Sequence, residues 1–316
     1  MKSRIPELDF LKCVFILLMV AFHLVYIGDK YPYAKSLVYT FHMPGFLVIS
    51  GYLMNVEKSV RAFLRTMFWI FVPYAVMESG YVVMSSMLPV RGGVENLGWG
   101  VWMDKLFLHP VGPYWYLHTL MVCGLTYYAV RRLPFLEQNS PLSFLIVLGL
   151  LYAVEAEWGG LVSFFNALYF LAGAALGQTS TDFRSFFRPS WWAVVPFVWL
   201  ASDASNLDRS LLSGAALTYL AVSLSLALFR ILPACAVRFA GFVGSNTFVI
   251  LVFSPIFTML VKPLVSVFSF DSSGMAFLLA ALCLTVSGCF AIAWVMDKLH
   301  VSAFFWGKER MLQPFG

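Results

Sequence analysis

Long apolar stretches recur from one end of the chain to the other, and this pattern limits the fold more than any other feature. Hydrophobic residues make up 60% of the 316 residues and charged residues only 12%, against the roughly 25% charged residues of an ordinary soluble domain. The stretches suit helices that cross about 30 Å of hydrocarbon, and no polar block is large enough for a separate soluble domain. We therefore expect an all-α, polytopic integral-membrane helical bundle that forms a single domain over residues 1–316.

A hydropathy window of about 19 residues predicts about ten transmembrane helices. In chain order they cover residues 9–28, 37–54, 66–88, 112–130, 142–157, 161–177, 190–202, 211–231, 241–261 and 274–296. The fifth and seventh are short and are candidates for tilted or partly re-entrant segments. Residues 89–111 are the longest segment expected to be non-helical, and we place them at the outer membrane interface.

The basic residues predict the orientation of the bundle. With the N-terminus in the cytoplasm, about 15 of the 21 Lys and Arg residues fall on the cytoplasmic side, as the positive-inside rule requires. An extra or a missing span would move the Lys and Arg residues of every later loop to the opposite side of the membrane. We therefore expect a multi-pass protein of the cell membrane with both termini in the cytoplasm.

The first predicted span, “LDFLKCVFILLMVAFH”, carries Lys12 and His23. Eleven residues of helix turn through about 1100°, so both side chains share one face and lie about 16 Å apart along the axis. Lys12 can pair with Asp9, extend to the cytoplasmic interface or present its charge to an anionic ligand. His23 lies too deep to reach water, and is either a neutral imidazole bonded to a neighbouring hydroxyl or a general base.

Later spans add further ionisable and aromatic residues. His42 either faces the outer interface or shares a cavity with His23, which lies at a comparable depth on the adjacent helix. Glu78 is near the middle of its span, where a charge needs a cation or a proton. The stretch “GPYWYLHTL” contains Tyr114, Trp115 and His118, and suits either an interfacial aromatic belt or the wall of a sugar-binding pocket.

Common motifs of soluble enzymes are missing from this sequence. It has no His-Glu-x-x-His helix, no Gly-x-Ser-x-Gly elbow and no Gly-rich phosphate loop followed by Lys. The histidines and carboxylates do not show metal-ligand spacing. We therefore expect no metal cofactor.

Five segments, in their order along the chain, resemble landmarks of the integral-membrane acyltransferase 3 family, whose members include sugar O-acetyltransferases of bacterial envelopes. They are “LDFLKCVFILLMVAFH”, “FHMPGFLVISGYL”, “YWYLHTL”, “FFNALYFLAGAALG” and “GSNTFVILVFSPIF”. In that family a basic residue and a histidine, with ten residues between them on the first helix, are implicated in acyl transfer. They correspond to Lys12, where many members have Arg, and to His23. Many members have a histidine where this chain has Ser254, and we assign no role there.

The resemblance implies transfer of an acyl group from acetyl-CoA, or another acyl-CoA, to a carbohydrate hydroxyl. The catalytic candidates are His23, as general base or acyl carrier, and Glu78. The candidates for attracting the phosphates of the coenzyme from the cytoplasm are Lys12, Arg61 and Arg65. The acceptor, a lipid-linked or surface glycan, is expected near His42, Tyr114, Trp115 and His118. We expect the bacterial cytoplasmic membrane as the location, and no extra hydrolase-like domain of the kind some relatives bear.

Two other classes of function are the alternatives. A transporter or flippase for a lipid-linked glycan or a small polar solute also uses ionisable groups near the midplane, but it usually shows an internal repeat with broken helices, and this sequence shows no such symmetry. If the chain were a structural or sensory membrane protein, Lys12, His23 and Glu78 would lie in apolar spans by accident of packing. We therefore favour the acyltransferase.

Overall fold

The computed structural model describes residues 4–87, 93, 94, 96–134, 136, 140–179 and 181–314. Its helices are, in chain order, α1 Pro6–His23, α2 Val25–Lys30, α3 Pro32–Leu53, α4 Val60–Met87, α5 Trp99–Phe107, α6 Trp115–Arg131, α7 Ser140–Trp158, α8 Phe164–Gln178, α9 Phe183–Phe187, α10 Val194–Ala201, α11 Leu212–Phe229, α12 Ala234–Ser245, α13 Thr247–Leu260, α14 Leu264–Val267, α15 Met275–Lys298 and α16 Ser302–Trp306. The described residues contain no β-strand. The fold is the helical membrane bundle that the sequence predicts.

Three helices in the described part of the chain are long and apolar enough to cross a membrane, namely α4, α11 and α15. A fourth candidate is the pair α12 and α13, which together pass the same test but are bent by 76°. A helix also lies at each of the other predicted span positions. The total of about ten spans stays a prediction.

Two predicted spans are interrupted. The first, expected over residues 9–28, breaks at Leu24, whose backbone is extended with φ −69° and ψ 105°. The ninth, expected over residues 241–261, bends at Asn246. The Asn246 side chain accepts a hydrogen bond from the backbone nitrogen of Gln313 at 2.8 Å and donates one to the Phe242 carbonyl at 2.9 Å. A side chain that binds backbone in this way competes with the regular helical hydrogen bonds.

The segment 89–111, expected to be non-helical, contains α5. Trp102 of this helix packs against a small buried cluster of Val82, Val94 and Val111. This burial favours the helix although its sequence includes Gly100, which lowers helix propensity. Residues 88–92 and 95 lie outside the described residues. So do Lys2 and Arg91, which are two of the 21 basic residues counted for the orientation.

Residues 4–46, 182–304 and 308–314 form one compact unit. Within this first unit α1 packs along α12, α13 packs on α15, and α10 on α11. A Cβ atom at Gly244 would lie 1.8 Å from the carbonyl oxygen of Asp9. The absence of a side chain at Gly244 therefore lets α12 approach the backbone of α1.

The described residues within 47–181, together with residues 305–307, form the second unit. Within it α6 packs against α4, α7 and α8, and α7 packs along α8. Two glycines bring the C-terminal turns of α3 against α8. A Cβ at Gly51 would lie 2.0 Å from the Phe170 carbonyl oxygen, and one at Gly173 would lie 2.0 Å from the Val48 carbonyl oxygen.

Candidate active site

His23 is the last residue of α1, and its side chain is half-buried. The imidazole Nδ1 lies 2.7 Å from the carbonyl oxygen of Met19, one turn earlier. Because a carbonyl oxygen accepts hydrogen bonds and does not donate them, Nδ1 carries the hydrogen and Nε2 holds the lone pair of the neutral ring. The break at Leu24 ends the helix at this ring, and the C-terminal end of a helix favours positive charge. A neutral His23 ring therefore presents Nε2 as a hydrogen-bond acceptor at the end of α1.

His42 lies on α3 in the same unit and is 1% exposed. Its Nδ1 donates to the Val38 carbonyl at 2.6 Å, so it has the same tautomer as His23. Its Nε2 is buried and has no hydrogen-bond partner in the described structure. Tyr39 lies beside both histidines, with its ring centroid 5.9 Å from that of His23 and 5.2 Å from that of His42. The structure thus brings the two histidines together around Tyr39.

Two cations contribute positive potential at this cluster. Lys35 has an electrostatic interaction with His23, and Arg209 has one with His42. The Lys35 ammonium lies 5.7 Å from the centroid of the Tyr39 ring. The sequence analysis missed Lys35, Tyr39 and Arg209. Residues 35, 39 and 42 follow the i, i+4, i+7 spacing of one helix face, which would have indicated the first two. Arg209 is distant in sequence, and no local pattern points to it.

Lys12 lies on α1 with His23 and forms an ion pair. Its Nζ is 2.7 Å from Oδ1 of Asp9, and Nε of Arg4 is 2.6 Å from Oδ2 of the same carboxylate. The Asp9 side chain is buried, and that of Lys12 is 19% exposed. This is the pairing with Asp9 named among the interpretations of Lys12. Because two cations share one carboxylate, the trio keeps a net positive charge.

Three buried side chains of the second unit bind the backbone of residues 106–111, and we call them the backbone clasp. The hydrogen bonds run from the Tyr74 hydroxyl to the Leu106 carbonyl at 2.8 Å, from His118 Nε2 to the Phe107 carbonyl at 2.9 Å, and from the Val111 nitrogen to Glu78 Oε1 at 2.5 Å. Glu78 is fully buried, and its Oε2 has no hydrogen-bond partner in the described structure. Glu78 and His118 therefore hold a segment of chain in place.

The remaining predicted site residues also lie in the second unit. Tyr114 is buried, with its ring edge to face against Tyr81 and the centroids 6.2 Å apart. Trp115 begins α6 and is half-buried. Arg61 and Arg65 are exposed on the first turns of α4.

An ion pair outside the predicted spans links α5 to the segment after α7. His109 Nδ1 is 2.6 Å from Oδ1 of Asp104, and its Nε2 is 2.8 Å from the Gly159 carbonyl oxygen. The hydrogen bonds to Asp104 and Gly159 raise the pKa of His109 above its usual value. Burial opposes ionisation of Asp104, but the hydrogen bond and the charge of His109 outweigh it and lower the pKa of that carboxyl. The sequence analysis did not identify this pair.

These observations define a class of protein, a helical membrane protein with a histidine at the end of its first helix. Among the described residues, no group of three or more His, Cys, Asp or Glu side chains could hold a metal ion. The Acyl_transf_3 family model, described as an acyltransferase domain, matches residues 5–294. The chain belongs to this family and is a membrane acyltransferase, which confirms the resemblance found in the sequence. Neither the comparison with curated proteins nor that with solved structures gave a significant match.

Proposed function

We propose that this acyltransferase transfers an acetyl group from acetyl-CoA to a hydroxyl of a cell-envelope or lipid-linked carbohydrate. The observation that carries the proposal is the 2.7 Å contact of His23 Nδ1 with the Met19 carbonyl oxygen, which makes Nε2 the basic nitrogen of the neutral ring. A sugar hydroxyl is a weak nucleophile near neutral pH, and a general base within hydrogen-bond reach overcomes this. The family match supplies acyl transfer as the reaction class.

The proposed step balances as follows. The acceptor oxygen attacks the carbonyl carbon of the thioester while the hydroxyl proton passes to Nε2 of His23. The new C–O bond forms, the C–S bond breaks, and the coenzyme leaves as a thiolate. The imidazolium then gives its proton to that thiolate, which regenerates neutral His23 and yields the acetyl ester and free coenzyme A. The C-terminal end of α1 stabilises the imidazolium during the step.

His42 and Tyr39 are proposed to hold the acceptor. The buried Nε2 of His42, without a hydrogen-bond partner in the described residues, can accept a hydrogen bond from an acceptor hydroxyl. Such a bond removes the free-energy cost of a buried unsatisfied acceptor. The aromatic ring of Tyr39, between the two imidazoles, offers an apolar face to a sugar.

The other predicted residues enter the proposal with different support. Lys12, in its net positive trio with Arg4 and Asp9, is proposed to attract the coenzyme phosphates at the cytoplasmic end of α1. Glu78 and His118 are proposed as positioning residues, because their contacts go to the backbone of residues 106–111. Three further points stay predictions from the sequence. They are the parts proposed for Arg61, Arg65, Tyr114 and Trp115, the location in the bacterial cytoplasmic membrane, and the cytoplasmic position of both termini.

The test supplies the purified full chain in detergent with radiolabelled acetyl-CoA and an envelope glycan fraction. We expect label on the glycan, released by mild base as an O-ester would be. Longer acyl-CoA donors, run in parallel, measure donor preference. If no acyl-CoA transfers label to any glycan fraction, the proposed function is wrong.

A further inference from the structure

Two cations, Lys35 and Arg209, lie beside His23 and His42 in the first unit and have no part in the proposed step. In that step His23 becomes an imidazolium, and like charges repel one another. The two cations therefore raise the energy of the charged ring unless a negative charge offsets them. The coenzyme phosphates do not supply that charge, because they are proposed to lie at Lys12, about 16 Å earlier along α1.

Lys35 is a half-buried residue on the first turn of α3. Its ammonium is 5.7 Å from the centroid of the Tyr39 ring. It also lies against α2, since a Cβ atom at Gly28 would be 3.1 Å from its Nζ. Among the described residues, no carboxylate forms an ion pair with Lys35. Because burying an unpaired charge costs free energy, an anionic ligand would stabilise this residue.

Arg209 belongs to the loop between α10 and α11, which packs closely on the start of α11. A Cβ atom at Gly214 would lie 2.8 Å from the Arg209 Cα. The neighbouring Asp208 carboxylate interacts electrostatically with Arg209. It is exposed and accepts two hydrogen bonds from Ser210, at 2.8 and 2.6 Å. Since one carboxylate faces two cations, Lys35, Arg209 and Asp208 together keep a net positive charge.

A contact between α11 and α3 holds this loop near His42. The Thr218 hydroxyl of α11 donates to the carbonyl oxygen of Thr40, two residues before His42, at 3.4 Å. The same hydroxyl bonds to the Gly214 carbonyl at 2.8 Å, and Gly214 is the residue on which the Arg209 loop packs. Packed helices therefore position Arg209 relative to His42.

We propose that Lys35 and Arg209 bind a negatively charged group of the acceptor, either the carboxylate of an acidic sugar or a phosphate ester. This inference rests on the proposed function and names the class of its acceptor. The anion would offset the two cations while the imidazolium of His23 exists. A neutral sugar could bond to Nε2 of His42, but it would leave the repulsion from the cations uncompensated.

The test offers the envelope glycan fraction in three forms to the purified full chain with radiolabelled acetyl-CoA. The first sample is untreated. In the second, carbodiimide coupling to methylamine turns the carboxylates into neutral amides, and in the third, hydrofluoric acid removes the phosphate esters. We expect the wild type to have a raised apparent KM for one of the two treated samples, which identifies the carboxylate or the phosphate as the anion that is bound.

Four variants connect this preference to the two cations. Lys35→Gln and Arg209→Gln each remove one charge, whereas Lys35→Arg keeps it. Lys262→Gln is the matched control, because Lys262 is exposed just after α13.

We expect each of the first two Gln variants to raise the apparent KM for the untreated glycan by about tenfold, as the loss of one hydrogen bond to a charged group does. The KM of acetyl-CoA should stay within about twofold of the wild-type value. Lys35→Arg and Lys262→Gln should behave as the wild type. With the treated sample that has lost the anion, the Gln variants and the wild type should have the same KM.

Equal wild-type KM values for the three samples overturn this inference and leave the proposed function standing; this comparison needs no substitution. A KM of acetyl-CoA that rises in the Gln variants, while that of the glycan does not, assigns the cations to the donor and overturns it as well. A wild-type protein that transfers label to no glycan sample contradicts the proposed function itself.

Discussion

The two compact units use their buried polar side chains in different ways. In the first unit, His23 and His42 each donate Nδ1–H to a carbonyl of their own helix, so their Nε2 atoms are acceptors. In the second unit, Tyr74, Glu78 and His118 bind the backbone of another segment. The first arrangement leaves the Nε2 lone pairs as acceptors, whereas the second binds the backbone of another segment.

The difference limits what an ionisable residue inside an apolar span can tell us. Such a residue is costly without a partner or a task. Glu78 and His23 look alike by this criterion in the sequence, and both were candidates for catalysis. The hydrogen bond from Val111 satisfies one oxygen of Glu78 and joins this residue to the backbone of another segment. The hydrogen-bond partners therefore distinguish Glu78 from His23, which the sequence alone does not.

The largest expected effect is the loss of acyl transfer on changing His23. His23→Ala should lower the rate of glycan acetylation by about 10²- to 10⁴-fold, the usual contribution of a general base. Transfer from radiolabelled acetyl-CoA, measured at equal amounts of inserted protein, checks this. The matched control is His109→Gln, a histidine change in the other unit, which should keep most of the activity. Full transfer by His23→Ala would remove this residue from the mechanism.

A steric change in the second unit should lower stability. In Gly173→Ala the new methyl group would lie 2.0 Å from the Val48 carbonyl oxygen, so the backbone must move. We expect a loss of about 1–3 kcal/mol, as for other overpacked sites. Thermal unfolding in detergent measures it against Gly149→Ala, where an added Cβ meets no described atom within 4 Å. Equal melting temperatures for the two variants would show that α3 and α8 do not approach this closely.

The role of Glu78 can be tested by comparing two substitutions. Glu78→Ala leaves the Val111 N–H without its acceptor and should cost about 1–3 kcal/mol of stability. Glu78→Gln keeps an oxygen at that position and should restore most of the stability and the activity. Both are measured as melting temperature and as acetyl transfer. Loss of transfer in a stable Glu78→Gln protein would instead indicate that its carboxyl group handles a proton.

The smallest expected effect is the pH dependence from His109. Its pKa is raised in the folded protein, chiefly by the hydrogen bond to Asp104. The stabilisation is therefore complete below the unfolded pKa of about 6.5 and is lost as the pH rises through the folded pKa. Because the pair is partly exposed, we expect melting shifts below about 3 °C. The difference between wild type and His109→Gln should be larger at pH 5.5 than at pH 9, and the opposite order would contradict the pairing.

Local patterns were enough to predict several parts of the molecule. Apolar length predicted the helical bundle, and the spacing of Lys12 and His23 placed both on one helix, which α1 confirms. The pairing of Lys12 with Asp9 follows from a separation of three residues. Each of these depends on residues within a few turns of one another, so the sequence contains the necessary information.

Contacts between distant residues determined the rest. The Asn246 side chain at the bend between α12 and α13 contacts Gln313, the backbone clasp joins α4 and α6 to residues 106–111, and Arg132 fixes the loop at Lys58. The two partners of these contacts lie between 11 and 74 residues apart, and no periodicity predicts which of them meet. The sequence by itself determined an all-helical membrane acyltransferase with a histidine at the end of its first helix. Only the tertiary structure decided which buried polar groups keep an available lone pair, because packing determines which groups come within hydrogen-bond distance.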